Sequence, residues 1–230
     1  MAIIGDNGNN VLDGGNGKDL IRGGDGDDIL NGENGKDTLI GDRGSDRSNG
    51  GNGDDRIIWN NGDGSDFNDG GNGHDVQEVN GSGTQGDEFV VKANGPGFLF
   101  DRVNLVPFKL TDTNIEKLEV NGGGGDDKLT VGNMAGTSLK SVLFNGGEGN
   151  DVLDASKADI KIEANGGNGH DKLTGGSADD ILKGDAGDDV ITGGDGNDKL
   201  FGGAGHDTFF VEKFEEIADF QHGIDQFFIV

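Results

Sequence analysis

The chain has 230 residues, of which 48 are glycine and 30% are hydrophobic, and its 44 acids outnumber its 18 bases to leave a formal charge of −26. That charge repels phosphate and so excludes nucleic acid and anionic membranes as partners. There is no run of 18 apolar residues to span a bilayer and no cysteine for a disulfide or thiolate metal site.

Aspartate supplies 34 of the 44 acids, a bias toward turns and cation ligands rather than helical surface. Low hydrophobicity with high net charge predicts a chain that stays unfolded in plain water until something neutralises its carboxylates.

The opening MAIIGDNGNN has neither a basic n-region nor an apolar h-region, so no amino-terminal signal peptide is expected. From Gly5 the chain then falls into nine-residue units, GDNGNNVLD, GGNGKDLIR, GGDGDDILN, GENGKDTLI, GDRGSDRSN and GGNGDDRII, which start without a gap at Gly5, Gly14, Gly23, Gly32, Gly41 and Gly50. Trp59 and Asn60 are inserted, and two looser units begin at Asn61 and Gly70. These form a first repeat block, residues 1–78.

Residues 79–165 break the pattern into an irregular, β-rich central segment. Glu88–Ala93, Phe98–Leu105, Phe108–Leu110 and Glu116–Val120 are predicted as longer strands between Gly, Asn and Pro96 turns. Isolated units start at Gly122 and Gly146, and Leu118, Leu129, Leu143, Leu153, Ile162 and Leu173 suggest a degenerate inward column. The favoured reading is one nearly continuous solenoid; a small β-sandwich inserted at 79–121 is the alternative.

A second block, residues 166–210, holds five unbroken units from Gly166, Gly175, Gly184, Gly193 and Gly202. In the closing segment 211–230, and just before it, aromatics crowd together (Phe201, Phe209, Phe210, Phe214, Phe220, Phe227, Phe228), which predicts an apolar cap on a solenoid end.

The fifteen units share the consensus G-G-x-G-x-D-x-U-x, with U apolar. Positions one to six read as a glycine turn and positions seven to nine as a three-residue strand whose eighth side chain points inward. Two units close a coil of 18 residues, so units n and n+2 stack. This pattern resembles the RTX, or hemolysin-type, calcium-binding repeat. The resemblance implies an all-β fold, a right-handed parallel β-roll or β-helix solenoid, with irregular central rungs and the aromatic cap.

It also implies Ca2+ as the bound ion. Calcium takes six to eight oxygens, and two stacked loops offer carboxylates together with glycine-loop carbonyls. The expected ligands are the sixth-position acids Asp19, Asp28, Asp37, Asp46, Asp55, Asp66, Asp75, Asp127, Asp151, Asp171, Asp180, Asp189, Asp198 and Asp207. With them come loop glycines: Gly14, Gly17, Gly23, Gly24, Gly26, Gly32, Gly35 and Gly41, then Gly166, Gly169, Gly184, Gly187, Gly193, Gly194, Gly196 and Gly202. Asn10 stands in place of Asp in the first unit, and Ala178 in place of a glycine. In-phase pairs give about seven sites, and three pairs across insertions would make about ten. Metal binding and folding are then expected to be one event.

No H-E-x-x-H, no G-x-S-x-G and no phosphate loop occurs, and His74, His170 and His206 fall on turn positions, so no catalysis is expected. The tail EEIADFQHGIDQFFIV resembles the segment after the repeats in RTX exoproteins, which implies export through a type I secretion apparatus by an uncleaved carboxyl-terminal signal. The expectation is a calcium-binding, extracellular module that folds on meeting calcium. The alternatives are a calcium-dependent adhesin or surface-layer component that meets a cell-surface glycan or protein, or the repeat region of a larger secreted enzyme.

Overall fold

The computed structural model describes residues 1–213 and 216–230; Phe214 of the expected cap lies outside them. Every named element is a β-strand, and the strands stack as a β-solenoid whose described pairings are parallel apart from one hairpin. Two compact units are formed, and the chain passes between them more than once.

The first unit comprises Met1–Asn80, Ala93–Glu119 and Gly136–Lys140. Successive repeats place their strands alternately on two sheets. Leu12 pairs with Leu30 and Leu30 with Ser48 on one, while Ile21 pairs with Leu39 and Leu39 with Ile57 on the other. Three-residue strands, as expected, occur in the second unit at Val152–Asp154, Lys172–Thr174 and Val190–Thr192, but the repeat strands of the first unit are longer. Leu20–Asp25 and Ile29–Asn34 run from position seven of one unit to position three of the next, because the first glycines remain in the ladder, as in the pair Gly24 and Asp42. The turn is confined to positions four to six. There Gly17 and Gly26 take φ of 103° and 122°, a region closed to most side chains.

The insertion of Trp59 and Asn60 does not break the stack. Ser48 pairs with Asn68 and Ile57 with Gln77, so the inward face is kept; Trp59 and Asn60 stay in the strand Arg56–Asn60, paired with Val79 and Asn80, and the surplus length falls in the loop after it. What changes is the content of that face. Ile21, Leu30 and Leu39 are fully buried, and each such side chain contributes about 1.5–3 kcal/mol. Further along, Ser48, Asn68, Gln77 and Asp112 occupy the interior. Asn68 Nδ2 holds this patch together by donating to Gln77 Oε1 at 2.9 Å and Asp112 Oδ1 at 3.0 Å. Burial pushes the Asp112 carboxyl up to about 7.

Beyond Asn72 the first unit turns irregular. Gly97–Arg102 pairs antiparallel with Phe108–Thr113, which pairs in parallel with Phe67–Asn72. The predicted strand Phe98–Leu105 therefore stops at Arg102. Leu105 takes φ of 45° and Pro107 lacks an N–H, so 103–107 is a hairpin loop. Arg102 anchors the hairpin: its guanidinium lies 5.5 Å from the Trp59 ring centroid and 5.2 Å from that of Phe108. The hairpin extends the solenoid sheet, in place of the inserted sandwich held as the alternative.

The second unit comprises Gly81–Lys92, Val120–Ala135 and Ser141–Val230. Glu88–Val91 pairs with Lys128–Val131, and Leu129, Leu153, Leu173, Ile191, Phe209 and Phe227 follow in one register column. Leu143 departs from its expected place. Val142, Phe144 and Gly146 are the buried residues of Ser141–Glu148, and Val142 pairs with Ile162. With a period of two, a one-residue slip moves the side chain to the outer face. At the end Phe220 packs 6.5 Å from Phe209 and 5.5 Å from Phe227, while Asp219 accepts the N–H groups of Gly202 and Gly203. Both aromatic packing and a carboxylate thus cap the last rung.

Candidate metal centre

The sixth-position aspartates form ladders along the loop edges. Along most of each ladder the carboxylate Oδ1 accepts the backbone N–H of the aspartate one coil earlier, while Asp28 accepts from Asn10 and Asp180 from Ile162. Asp37 accepts from Asp19, Asp46 from Asp28 and Asp55 from Asp37, at 2.7–2.8 Å. The second block repeats the arrangement, with Asp189 accepting from Asp171, Asp198 from Asp180 and Asp207 from Asp189. Stacks across insertions obey the same rule: Asp66 accepts from Asp46, Asp75 from Asp55, and Asp171 from Asp151. The units at Gly122 and Gly146 are not isolated, since Asp151 accepts from Asp127 at 2.7 Å.

The second oxygen carries the chemistry. In twelve of the fourteen expected aspartates (Asp19, Asp28, Asp37, Asp46, Asp55, Asp75, Asp127, Asp151, Asp171, Asp189, Asp198 and Asp207) Oδ2 is buried and meets no hydrogen-bond donor. Desolvating an ionised carboxylate without a partner is costly. Burial accordingly raises seven of them, to about 6 for Asp46, Asp75, Asp151, Asp171, Asp189 and Asp198 and to about 7 for Asp127, despite the opposing backbone N–H bonds. A hard cation would remove that penalty.

Among the described residues no three acidic, His or Cys side chains converge on one point. Any hard-cation site must therefore complete its shell with backbone oxygens, and the glycines supply them. A Cβ on Gly14 would stand 3.0 Å from Asp19 Oδ2 and 2.7 Å from the Gly32 carbonyl oxygen. Position one is thus glycine because the carboxylate oxygen and a carbonyl from the next coil crowd it. Gly23, Gly32, Gly41, Gly166, Gly184, Gly193 and Gly202 repeat the relation to their own Asp. Gly17, Gly24, Gly26, Gly35, Gly169, Gly187, Gly194 and Gly196 all take positive φ. At position four the stacking is tightest: a Cβ on Gly35 would overlap the Gly17 carbonyl oxygen, and one on Gly187 that of Gly169. Oxygen-rich loops with orphaned carboxylates fit calcium.

Three further acids join the ladders without having been expected. Asp87 donates its N–H to Asp127 Oδ1, Asp225 accepts from Asp207, and Glu116 accepts from Asp75. Asp87-Glu88-Phe89 and Asp225-Gln226-Phe227 keep the D-x-U core of the repeat without its full glycine turn, which is the signal that could have found them. His170 and His206 lie exposed on the loop edge. Asp188 donates its N–H to His170 Nδ1, and His206 Nδ1 meets the Ile224 carbonyl.

A comparison with curated proteins finds no match. The family model described as the RTX calcium-binding nonapeptide repeat (4 copies) matches residues 4–39, 22–57, 143–159, 164–189 and 174–209. These are the stretches in which ladder, glycine turn and inward column coincide, and together they make up just over half of the chain. The chain belongs to the RTX calcium-binding repeat family.

Proposed function

We propose that the chain is a non-catalytic, calcium-loaded module of an exported protein, folding when it meets calcium outside the cell. The observation that carries this reading is the column of buried aspartate Oδ2 atoms without a donor. The ligands are Asp19, Asp28, Asp37, Asp46, Asp55, Asp75, Asp127, Asp151, Asp171, Asp189, Asp198 and Asp207, with Asp66 beside them and the stacked glycine-loop carbonyls completing each shell. Calcium bound there supplies charge neutralisation and cross-coil bridging; the glycine turns hold the carbonyls in place, and the backbone ladder orients each carboxylate.

In this reading residues 1–78 and 166–210 are the calcium-responsive blocks. Residues 79–165 bridge them in sequence and add the ligands Asp127 and Asp151, and 211–230 both cap the fold and direct type I export. Affinities of extracellular calcium modules lie around 10⁻⁴–10⁻³ M, so at cytosolic calcium the orphaned ladder stays unloaded and the chain incompletely folded, and folding is completed outside. The test is far-UV circular dichroism of metal-free protein titrated with calcium, with magnesium as control. A cooperative gain of β signal with calcium alone is expected, and a spectrum already fully β without metal overturns the reading.

A second reading, adhesion to a cell-surface glycan, is favoured by one feature. Ile29, Arg47 and Phe67 line an outer groove of the first unit, with Asn49 and Asp69 two residues further along the same strands, and the Arg47 guanidinium lies 5.1 Å from the Phe67 ring centroid. Glycan-array binding that disappears in Phe67→Ala would establish it.

A further inference from the structure

Not every aspartate of the ladder has an oxygen to give. Asp180 uses both: Oδ1 accepts the Ile162 N–H at 2.8 Å and Oδ2 the N–H of Gly176, in its own loop, at 2.7 Å. Asp87 Oδ2 likewise accepts from Ser82 in its own loop at 2.6 Å. Asp225 accepts from Asp207 on Oδ1 and from Gln221 on Oδ2, at 3.2 and 2.7 Å. Asp189 provides the contrast, with Oδ1 bonded to the Asp171 N–H and Oδ2 bonded to nothing.

We infer that Asp87, Asp180 and Asp225 are not calcium ligands but carboxylate clasps, each closing its own loop without metal, and that they give the second unit a metal-independent framework the first unit lacks. The inference rests on the reading that the orphaned aspartates take calcium. An N–H pointing at Oδ2 presents a positive hydrogen where the cation would have to sit, so donor and cation compete for the same lone pairs. A charge-assisted hydrogen bond also stabilises the loop by itself.

The surroundings of the clasps agree. The unit of Asp180 carries Ala178 in place of the position-four glycine. The coil before it offers no glycine loop: Ser177 donates its N–H to the Ala158 carbonyl of a tight turn, closed in turn by Ala158 donating to Ala155. In the loop of Asp87, Ser82 Oγ accepts the N–H groups of Thr84 and Gln85, using amides of the turn internally. All three clasps belong to the second unit. In the first unit Asp19, Asp28, Asp37, Asp46, Asp55 and Asp75 all leave Oδ2 without a donor.

The test counts calcium bound to the full chain at saturation, by equilibrium dialysis, for wild type, Asp189→Asn, Asp180→Asn and Asp87→Asn. Asp189→Asn is expected to lose at least one ion per chain, while Asp180→Asn and Asp87→Asn keep the wild-type number. Loss of an ion in Asp180→Asn overturns the clasp. An unchanged count in Asp189→Asn overturns the calcium assignment on which the clasp depends, a separate failure that the same experiment distinguishes.

A second measurement needs no variant and so decides the matter if Asp180→Asn does not fold. In calcium-free buffer, hydrogen exchange of the wild-type chain should leave the amides of Ser82, Gly176 and Gln221 on the order of tenfold slower than the second-position amides of Gly24 and Glu33, which the Oδ2 atoms of Asp28 and Asp37 do not accept. That factor is what a charge-assisted hydrogen bond supplies. Uniform exchange across all these loops overturns the proposal.

Discussion

In the first unit the inward column runs from Leu30 to Ser48 to Asn68 on one sheet, and from Leu39 to Ile57 to Gln77 on the other. In the second unit the corresponding column stays apolar from Phe89 through Leu129, Leu153, Leu173 and Ile191 to Phe209. Both units use one repeat, yet only the second pairs it with a continuous hydrophobic interior. Solenoid stability is close to a sum of rung and neighbour terms. Where the interior is polar, cross-coil bridging by a cation has more to supply. The comparison therefore predicts that calcium dependence is uneven along the chain.

The largest effect should come from removing calcium. On chelation, limited proteolysis should cut within residues 1–78 at much lower protease concentration than within 141–213, because the open fraction governs cleavage. Cleavage spread evenly over both stretches would erase the distinction between the units. Next in size is Leu173→Ala, which opens a cavity in the apolar column and should cost about 2–5 kcal/mol, read by chemical denaturation at saturating calcium. The first-unit counterpart, Asn68→Ala, removes the one donor shared by Gln77 Oε1 and Asp112 Oδ1. Leaving buried acceptors unpaired costs about 1–3 kcal/mol. A larger loss for Asn68→Ala than for Leu173→Ala would show that the polar interior, not the apolar one, is the firmer.

Acidity sharpens the same comparison. The carboxyls of Asp46 and Asp75 rise to about 6, and those of Asp66 and Asp112 to about 7, because burial disfavours their charged form. Below about pH 4 these groups are protonated in the folded and the unfolded chain alike, so burial costs nothing. As pH rises through about 6 to 7 the metal-free folded chain must ionise them, and that stability is lost. Metal-free protein at low concentration should therefore gain β circular dichroism as pH falls from 7 toward 4. Calcium-loaded protein should do the reverse, because protons compete with the ion for the same oxygens. Parallel pH profiles with and without calcium would separate these carboxylates from metal binding.

The fold and much of the ladder are legible in the sequence because turn and strand share one nine-residue period. Asp37 and Asp55 can be found by counting. Asp46 and Asp66 are less easily matched, since their spacing is 20 residues and only the sheet register shows that the surplus lies in a loop. Asp87 and Asp225 escape the consensus because their turns are closed by Ser82 and Gln221 amides rather than by glycines. The outward turn of Leu143 is invisible to spacing alone, since period two leaves both faces open until a neighbour such as Ile162 selects one. The hairpin Gly97–Arg102 with Phe108–Thr113 contradicts the parallel rule of its surroundings, and its anchor, Arg102 beside the stacked rings of Trp59 and Phe108, joins residues more than 40 positions apart.

The smallest effect concerns the second position of the repeat, where glycine is usual but Glu33 and Asp185 take φ of 71° and 74°. A left-handed conformation costs an L-residue roughly 1–2 kcal/mol, less for Asp, whose short side chain hydrogen-bonds locally. Glycine removes that strain but adds unfolded-state freedom of about 0.5–1 kcal/mol. The two terms nearly cancel, so Glu33→Gly should stabilise the first unit by a few tenths of a kcal/mol to about 1 kcal/mol. Asp185→Gly should leave the second unit unchanged or slightly weaker. Denaturation midpoints at saturating calcium read both, and a gain for Asp185→Gly that exceeded the gain for Glu33→Gly would mean that factors other than backbone strain, such as the lost carboxylate charge at either site, decide the sign.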